Sequence, residues 1–322
     1  MSQPKISVII PVKPGGEVRA LAGIARAGYP GELFEVLVAY GCVPSAQRNL
    51  AARAAQGELL YFLDDDSQVS PGFLDAAARH YQDPKVAAVG GPSLTPGSDS
   101  ALQRAIGVAF ASAVGGGGVR NRYRKVGRAR RSSDSELILC NLSFRREIFL
   151  AHEGLDARLY PNEENELMDR LVREGYQLVH DPELAVLRSQ RRSWGAYVRQ
   201  MFGYGRGRGE QTLLSGRLKP VSLAPSLFLI YTLSLPFFGR GLFALPMLFY
   251  LAAIAAAALA GTLSGRDPAL FPRLLLVFPT LHLAYGAGVI AGLLRPRYRS
   301  GPRCEKGIEV RCVKGFGGNF EF

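Results

Sequence analysis

Cysteine is scarce in this chain of 322 residues, and the four present, Cys42, Cys140, Cys304 and Cys312, are widely scattered. None has the two-residue spacing of a zinc ligand set, and they build no disulfide framework, so the chain reads as one for a reducing cytosol. A secretory leader is not expected either, because the first apolar segment, residues 5–11, reads as a strand rather than a long apolar core of a signal. Acid is in deficit: 39 lysines and arginines stand against 27 aspartates and glutamates, a formal net charge of +12. Such a balance calls for an anionic partner, either phosphates or an acidic membrane surface. Nucleic acid is disfavoured, since the basic residues fall in no groove-reading motif.

What acid there is gathers at a few points. Residues 59–71 read LLYFLDDDSQVSP, an apolar run that stops at Asp64, Asp65 and Asp66 with a polar turn behind it. A short apolar run bounded by a turn suits a strand buried on both faces. Open α/β sheets bind ligands at the carboxyl ends of their strands, where these aspartates would stand. Adjacent carboxylates repel one another, and a cation between them relieves the repulsion. Hard oxygen ligands suit Mg²⁺ or Mn²⁺, which usually completes its shell with water and a substrate's phosphates. A solvated acidic turn ahead of the helix after Pro71 is the plainer alternative.

The pattern divides the chain in two. Up to about residue 214, short β-branched runs alternate with alanine-rich segments. Residues 5–11, 34–40, 59–63 and 86–90 read as strands; residues 17–27 and 45–56 read as helices, the second capped by Ser45 and followed by Gly57. This alternation predicts an α/β fold with a parallel sheet built from βαβ units. Residues 215–298 read as a membrane region and 299–322 as a basic tail. Segments 242–260 and 274–294 carry no charged side chain and are about long enough to cross a hydrocarbon core. Segment 221–238 is uncharged but short, and holds Pro225 and Pro236. Arg206, Arg208, Arg217 and Lys219 precede the region; Arg295, Arg297, Arg299, Arg303 and Lys306 follow it. Keeping both flanks cytoplasmic requires an even number of crossings. On that logic 221–238 lies in the interface or re-enters, and residues 265–272 face the far side.

A second acidic cluster, YPNEENEL at 160–167, precedes apolar residues at Leu167, Leu171 and Val172, which predicts a helix starting near Glu163. Acids in a first turn favour the helix dipole, and alone that suffices to explain them. Beside a metal–phosphate site they gain a second role. Transfer from a phosphate leaving group needs a metal to carry the leaving charge and a carboxylate to deprotonate the incoming hydroxyl. Residues 119–131, with seven cations after four glycines, read either as a mobile loop closing over a pyrophosphate or as a disordered basic surface loop. Trp194, Tyr197, Val198, Met201 and Phe202 recur at helical spacing beside Arg192 and Arg199, which fits an interfacial helix or a core-facing one.

These segments together resemble the family 2 glycosyltransferases. The resemblance rests on KISVIIPV, SAQRNLAARAAQGELLYFLDDDSQVSPGFL, NLSFRREIF followed by GLDARLYPNEENELMDRL, and RRSWGAYVRQMFGYGRGR. With the apolar C-terminal segments, the chain is most similar to bacterial exopolysaccharide glucosyltransferases of the succinoglycan type. That resemblance implies an A-type glycosyltransferase fold, Rossmann-like with a mostly parallel sheet, over residues 1–214. It further implies a nucleotide-sugar donor, a divalent metal, inversion at the anomeric carbon, and a polyprenyl-linked saccharide acceptor at the cytoplasmic membrane. Asp64 and Asp66 take the family's Asp-any-Asp positions at the ribose and the metal, with Asp65 between them. Glu163-Glu164 falls on the Glu-Asp pair whose second member is the base, which makes Glu164 the base. Arg191, Arg192 and Trp194 match a segment that meets the diphosphate and acceptor, and Arg48 joins the donor-binding set. Two departures stand out. Ala39-Tyr40-Gly41 replaces the aspartate that reads the nucleotide base, and no histidine stands near Arg188 as a further metal ligand.

Overall fold

Apolar runs of five to seven residues become the strands around which the chain is built. The structure, a computed structural model, describes residues 3–300 and 307–321. Arg303, Cys304 and Lys306 of the expected tail lie outside those residues. In chain order come β1 (Ile6–Val12), α1 (Leu21–Ile24), β2 (Phe34–Tyr40), α2 (Pro44–Ala54) and β3 (Leu59–Leu63), then α3 (Phe73–Arg79), β4 (Val86–Gly90), β5 (Ser93–Leu94) and α4 (Ala101–Ala111). β6 (Arg130–Ser132), β7 (Asn141–Arg145), α5 (Arg146–Ala151), α6 (Glu163–Arg173), β8 (Gln177–His180) and β9 (Val186–Leu187) follow. Four longer helices, α7 (Trp194–Ser215), α8 (Ala224–Phe238), α9 (Leu245–Gly265) and α10 (Leu270–Leu294), precede the last strand, β10 (Glu309–Lys314).

An eight-stranded sheet runs β10-β2-β1-β3-β7-β4-β8-β6. The βαβ units give parallel pairs β1–β2 and β1–β3, and β4 pairs in parallel with β8. β7 lies antiparallel between β3 and β4, β6 antiparallel to β8, and β10 antiparallel to β2. The α/β class and the mostly parallel sheet are as expected: β1, β2, β3, β4 and β8 run one way, and β6, β7 and β10 run against them. Its antiparallel members come from short or distant segments that carry no βαβ signal. β10 brings the expected tail back to the sheet and covers the edge that β2 would otherwise expose.

Two local expectations change. Only Leu21–Ile24 of residues 17–27 is helical, because Gly23 is a poor helix former and the Ala20 N–H is committed to the carbonyl of Asp65 at 3.0 Å. Ser45 does not cap α2. Val43 holds the N-cap position with Pro44 behind it, and the buried Ser45 hydroxyl donates to the Leu159 carbonyl at 3.2 Å.

Three helical stretches, Pro220–Phe238, Gly241–Gly265 and Leu270–Leu294, are long and apolar enough to cross a membrane. Their surroundings differ. The apolar window is 6% and 11% buried in the first two and 39% buried in the third. α10 runs along α7: the Tyr197 hydroxyl donates to the Val277 carbonyl, and four glycines let the two backbones touch. A Cβ on Gly205 would come 2.0 Å from the Tyr285 carbonyl oxygen, and one on Gly292 2.2 Å from that of Arg206. Both ends of α10 are tied to the α/β half. Asp267, in the linker before it, pairs with Arg104 of α4 at 2.8 Å. Arg297, beyond its far end, pairs with the buried Glu210 at 3.3 Å and donates to the Tyr160 carbonyl at 2.9 Å. The glycine seam thus lays α10, a helix of about 37 Å, along α7.

Candidate active site

The site is built where β3 ends. A tight turn follows Leu63, in which the Ser67 N–H donates to the Asp64 carbonyl at 3.1 Å, so three carboxylates emerge together. Two arginines meet them. Arg48 of α2 donates to Asp64 Oδ1 at 2.6 Å. Arg188, just beyond β9, reaches Asp64 Oδ2 through Nη2 and Asp66 Oδ1 through Nε, each at 2.9 Å. Burial works to raise the Asp64 pKa, but Arg188, then Arg48 and Arg191, outweigh it and hold the carboxyl below its ordinary value. Asp65 moves the other way, raised by burial and by the charges of Asp66 and Asp64.

The second acid cluster faces the same space. Asn162, in the left-handed conformation with φ of 98°, turns the chain into α6, so that Glu163 and Glu164 open the helix. Arg122 anchors that turn by donating to Asn165 Oδ1 at 2.5 Å and to the Asp134 and Ser135 carbonyls. Glu163 is 2% exposed, its Oε1 lies 3.9 Å from Arg48, and its Oε2 has no hydrogen-bond partner among the described residues. Burial, and then the neighbouring Glu164, push its pKa up to about 8. A cleft of about 540 Å³ is lined by all three aspartates, Glu163, Glu164, Arg48, Arg188 and Arg191. A second space of about 570 Å³ adjoins it through Asp65, Asp66 and Arg191, and there Arg192 lines the wall.

Most of the residues singled out from sequence thus converge, although they come from four separate segments. Trp194 does not join them: it starts α7 and packs edge-on against Tyr197, centroids 6.0 Å apart, beside the apolar helices. The core-facing reading of α7 is the one observed, since Tyr197 and Met201 are 0% and 1% exposed. The basic segment 119–131 is tied down at several points. Arg122 is buried, Lys125 pairs with Glu183 at 2.7 Å, and Arg130 pairs with Glu136 at 2.6 Å beside β6. Burial works to raise the Glu136 pKa, but hydrogen bonds from Arg130, Ser132 and Asn121 outweigh it and draw the carboxyl down to about 2. Arg188 is the main addition. Sequence showed it only where a histidine was missing, yet charge balance was a usable signal: three adjacent acids need a nearby cation.

The donor set is hard oxygen, and Asp65 is raised by its two neighbours, both of which fit a divalent cation. Among the described residues no three His, Cys, Asp or Glu side chains form a ready metal cage. Arg48 and Arg188 hold both Asp64 oxygens and Asp66 Oδ1; ions of the Mg²⁺ kind take one or two carboxylates and complete their shell with a substrate's phosphates.

Residues 59–290, more than half of the chain, match the model of the family described as glycosyl transferase family group 2. The chain belongs to this family. As a glycosyltransferase it also has the expected fold: a mannosyltransferase from Pyrobaculum calidifontis, PcManGT, solved with GDP-Man and Mn²⁺, superposes with a TM-score of 0.55 at 18% identity, covering 91% of this chain and 88% of that one. GalNAc-T7, solved with UDP, GalNAc and Mn²⁺, is similar at 13% identity and a TM-score of 0.43, over 64% of this chain and 48% of that one. No curated protein matches the chain.

Proposed function

We propose that this glycosyltransferase moves a hexose, with inversion, from a nucleotide-sugar donor to a polyprenyl-linked saccharide in the synthesis of a cell-surface polysaccharide. The observation that carries the reading is the single cleft in which the arginine-braced aspartates face Glu163 and Glu164. Arg48 and Arg188 fix Asp64 and keep it ionised, so that it can meet the donor's ribose. Asp66, with Asp64, would hold Mg²⁺ or Mn²⁺, an ion that stabilises the diphosphate as it leaves. Arg191 and Arg192 extend the cationic lining over the diphosphate. Burial, and then the neighbouring Glu164, raise the Glu163 pKa, which favours Glu163 as the member of the pair that holds a proton. Glu164, beside it in the same cleft, is then the carboxylate that takes the proton from the acceptor hydroxyl. The full-length protein should release nucleotide from a member of a nucleotide-sugar panel when lipid-linked saccharides and Mn²⁺ or Mg²⁺ are present, and chelation should stop it. Failure with every donor and acceptor would overturn the reading.

The same proposal places the protein at the cytoplasmic membrane with the catalytic domain in the cytoplasm. α8 and α9 enter the bilayer as a hairpin, α10 stays on the domain, and β10 returns to the sheet on the same side. The ion pair between Arg104 and Asp267 supports this arrangement. In cells lacking the native cysteines, an impermeant thiol reagent applied from outside should label Arg240→Cys, at the hairpin tip, and not Ala269→Cys. Labelling of Ala269→Cys would restore a crossing by α10.

A further inference from the structure

A further space, open on one side, lies in the seam between the catalytic domain and the apolar helices. It measures about 610 Å³, a volume typical of small-molecule sites. Phe228 of α8, Tyr250 of α9, Leu281 of α10 and the glycines at 115–118 line it. Three of those glycines have a local reason to be glycine. A Cβ on Gly115 would come 2.3 Å from the Ala109 carbonyl oxygen, one on Gly116 1.9 Å from that of Phe110, and Gly117 has a φ of +50°. Gly118 has none: a Cβ there meets nothing within 4 Å, and its backbone angle asks for nothing special. Its missing side chain serves to leave the space open.

The cavity is polar at one place. Lys219 reaches it, paired with Asp134 at 2.8 Å, and so does Arg208, which donates to the neutral Gln211 at 2.8 Å. Lys219 also lies 3.8 Å from Asp169, so Arg208 is the lining cation that has no carboxylate partner among the described residues. The position relative to the cleft is equally specific. Tyr204 lines the cleft and Arg208 lines the cavity, one turn apart on α7, about 6 Å along the helix. Arg122 bridges the two spaces from the other side, holding the Asp134 carbonyl at the cavity and Asn165, next to Glu164, at the cleft.

We propose that this cavity binds the lipid end of the acceptor. The chain of a polyprenyl phosphate lies along Phe228, Tyr250 and Gly118, and its phosphate is met by Arg208, which directs the attached sugar toward Glu164. The assignment rests on the reading of a lipid-linked acceptor and adds to it where the lipid sits. α8 and α9 bound the cavity while exposing Leu227, Leu233 and Phe249 outward, so one layer of helix separates it from surrounding acyl chains.

The test uses purified full-length protein and a benzophenone-bearing farnesyl phosphate as photoprobe. Labelling should map to the seam around Val119, Phe228 and Tyr250, and excess farnesyl phosphate should compete while inorganic phosphate or farnesol should not. Gly118→Leu, which fills the space, should lower labelling at least tenfold, and Arg208→Gln should lower it by a smaller factor; nucleotide binding in both should match wild type. That last measurement shows that the variants fold. Labelling confined to the outward faces of α8 and α9, or unaffected by Gly118→Leu, overturns the site while leaving transfer to a lipid acceptor intact. Turnover onto a water-soluble saccharide, with no probe captured in the seam, overturns the lipid-acceptor reading along with the site.

Discussion

Two clusters of neighbouring carboxylates face one cleft, and each meets the cost of crowding like charges by a different means. At the end of β3 the answer is arginine: Asp64 has contacts from Arg48 and Arg188 at 2.6 and 2.9 Å, and its pKa falls. At the start of α6 the answer is a proton: Glu163 has Arg48 only at 3.9 Å, and its pKa rises to about 8. Distance decides the matter, because an ion pair offsets desolvation only when charges are close and hydrogen-bonded. The difference assigns the work. A cluster kept charged suits phosphate and metal chemistry, whereas a pair sharing a proton suits its movement.

The largest effect expected from this contrast is on turnover. Glu164→Gln keeps the size of the side chain and its hydrogen-bonding capacity but cannot accept the acceptor's proton. A general base contributes about 10²- to 10⁴-fold, so kcat should fall by that order while donor affinity, set by the aspartate side of the cleft, stays near wild type. If Glu164→Gln transferred normally and Glu163→Gln did not, the two roles would be exchanged.

How far the sequence reached follows the same division. The strand into Asp64, Asp65 and Asp66 and the helix opened by Glu163 were legible because hydrophobic patterning and acid placement are local signals. Segments 34–40, 59–63 and 86–90 became β2, β3 and β4 with the expected bounds. Arg188 was not legible as a partner, because 122 residues separate it from Asp66. β6, β7 and β10 were missed for a related reason: their pairing comes from other segments, so their own patterns say little. α10 read as a membrane span because its composition is apolar throughout, and the helix is long and apolar enough to be one. Its four-glycine seam with α7 is a spacing feature that composition does not reveal.

A middle-sized effect is expected at Arg188, on stability rather than rate alone. Arg188→Met removes the contacts to Asp64 Oδ2 and Asp66 Oδ1 and leaves three adjacent carboxylates with Arg48 as the nearest remaining braced cation. Loss of a charged hydrogen-bonded partner from such a site costs about 1–3 kcal/mol, read as a lower melting temperature. Mn²⁺ should recover more of that loss in the variant than it adds to wild type, because the acids are then short of a cation. Equal melting temperatures for the two proteins, with and without Mn²⁺, would show that arginine neutralisation is not what holds this cluster.

The smallest effect concerns the proton at Glu163, and its sign is set by the direction of the shift. The folded chain holds that proton up to about pH 8, whereas an unfolded glutamate releases it near its ordinary value of 4.5. Between those limits the folded state binds the extra proton, so its stability falls as pH rises through the window. Below the window both states are protonated and the difference vanishes. Above it the full penalty of a buried charge is present. Glu163→Gln removes the penalty without emptying the space, so its melting temperature should match wild type near pH 4 and exceed it increasingly toward pH 8 and beyond. The loss of attraction to Arg48 at 3.9 Å works against this gain but is weak at that distance. Neighbouring carboxylates titrate as a pair, so the Glu163→Gln/Glu164→Gln double variant belongs in the same series and should likewise lack the fall that wild type shows across the window. A parallel pH profile for Glu163→Gln and wild type would mean that Glu163 is ionised in the folded protein. The two clusters would then be neutralised alike, and the argument that leaves Glu164 as the base would lose its footing.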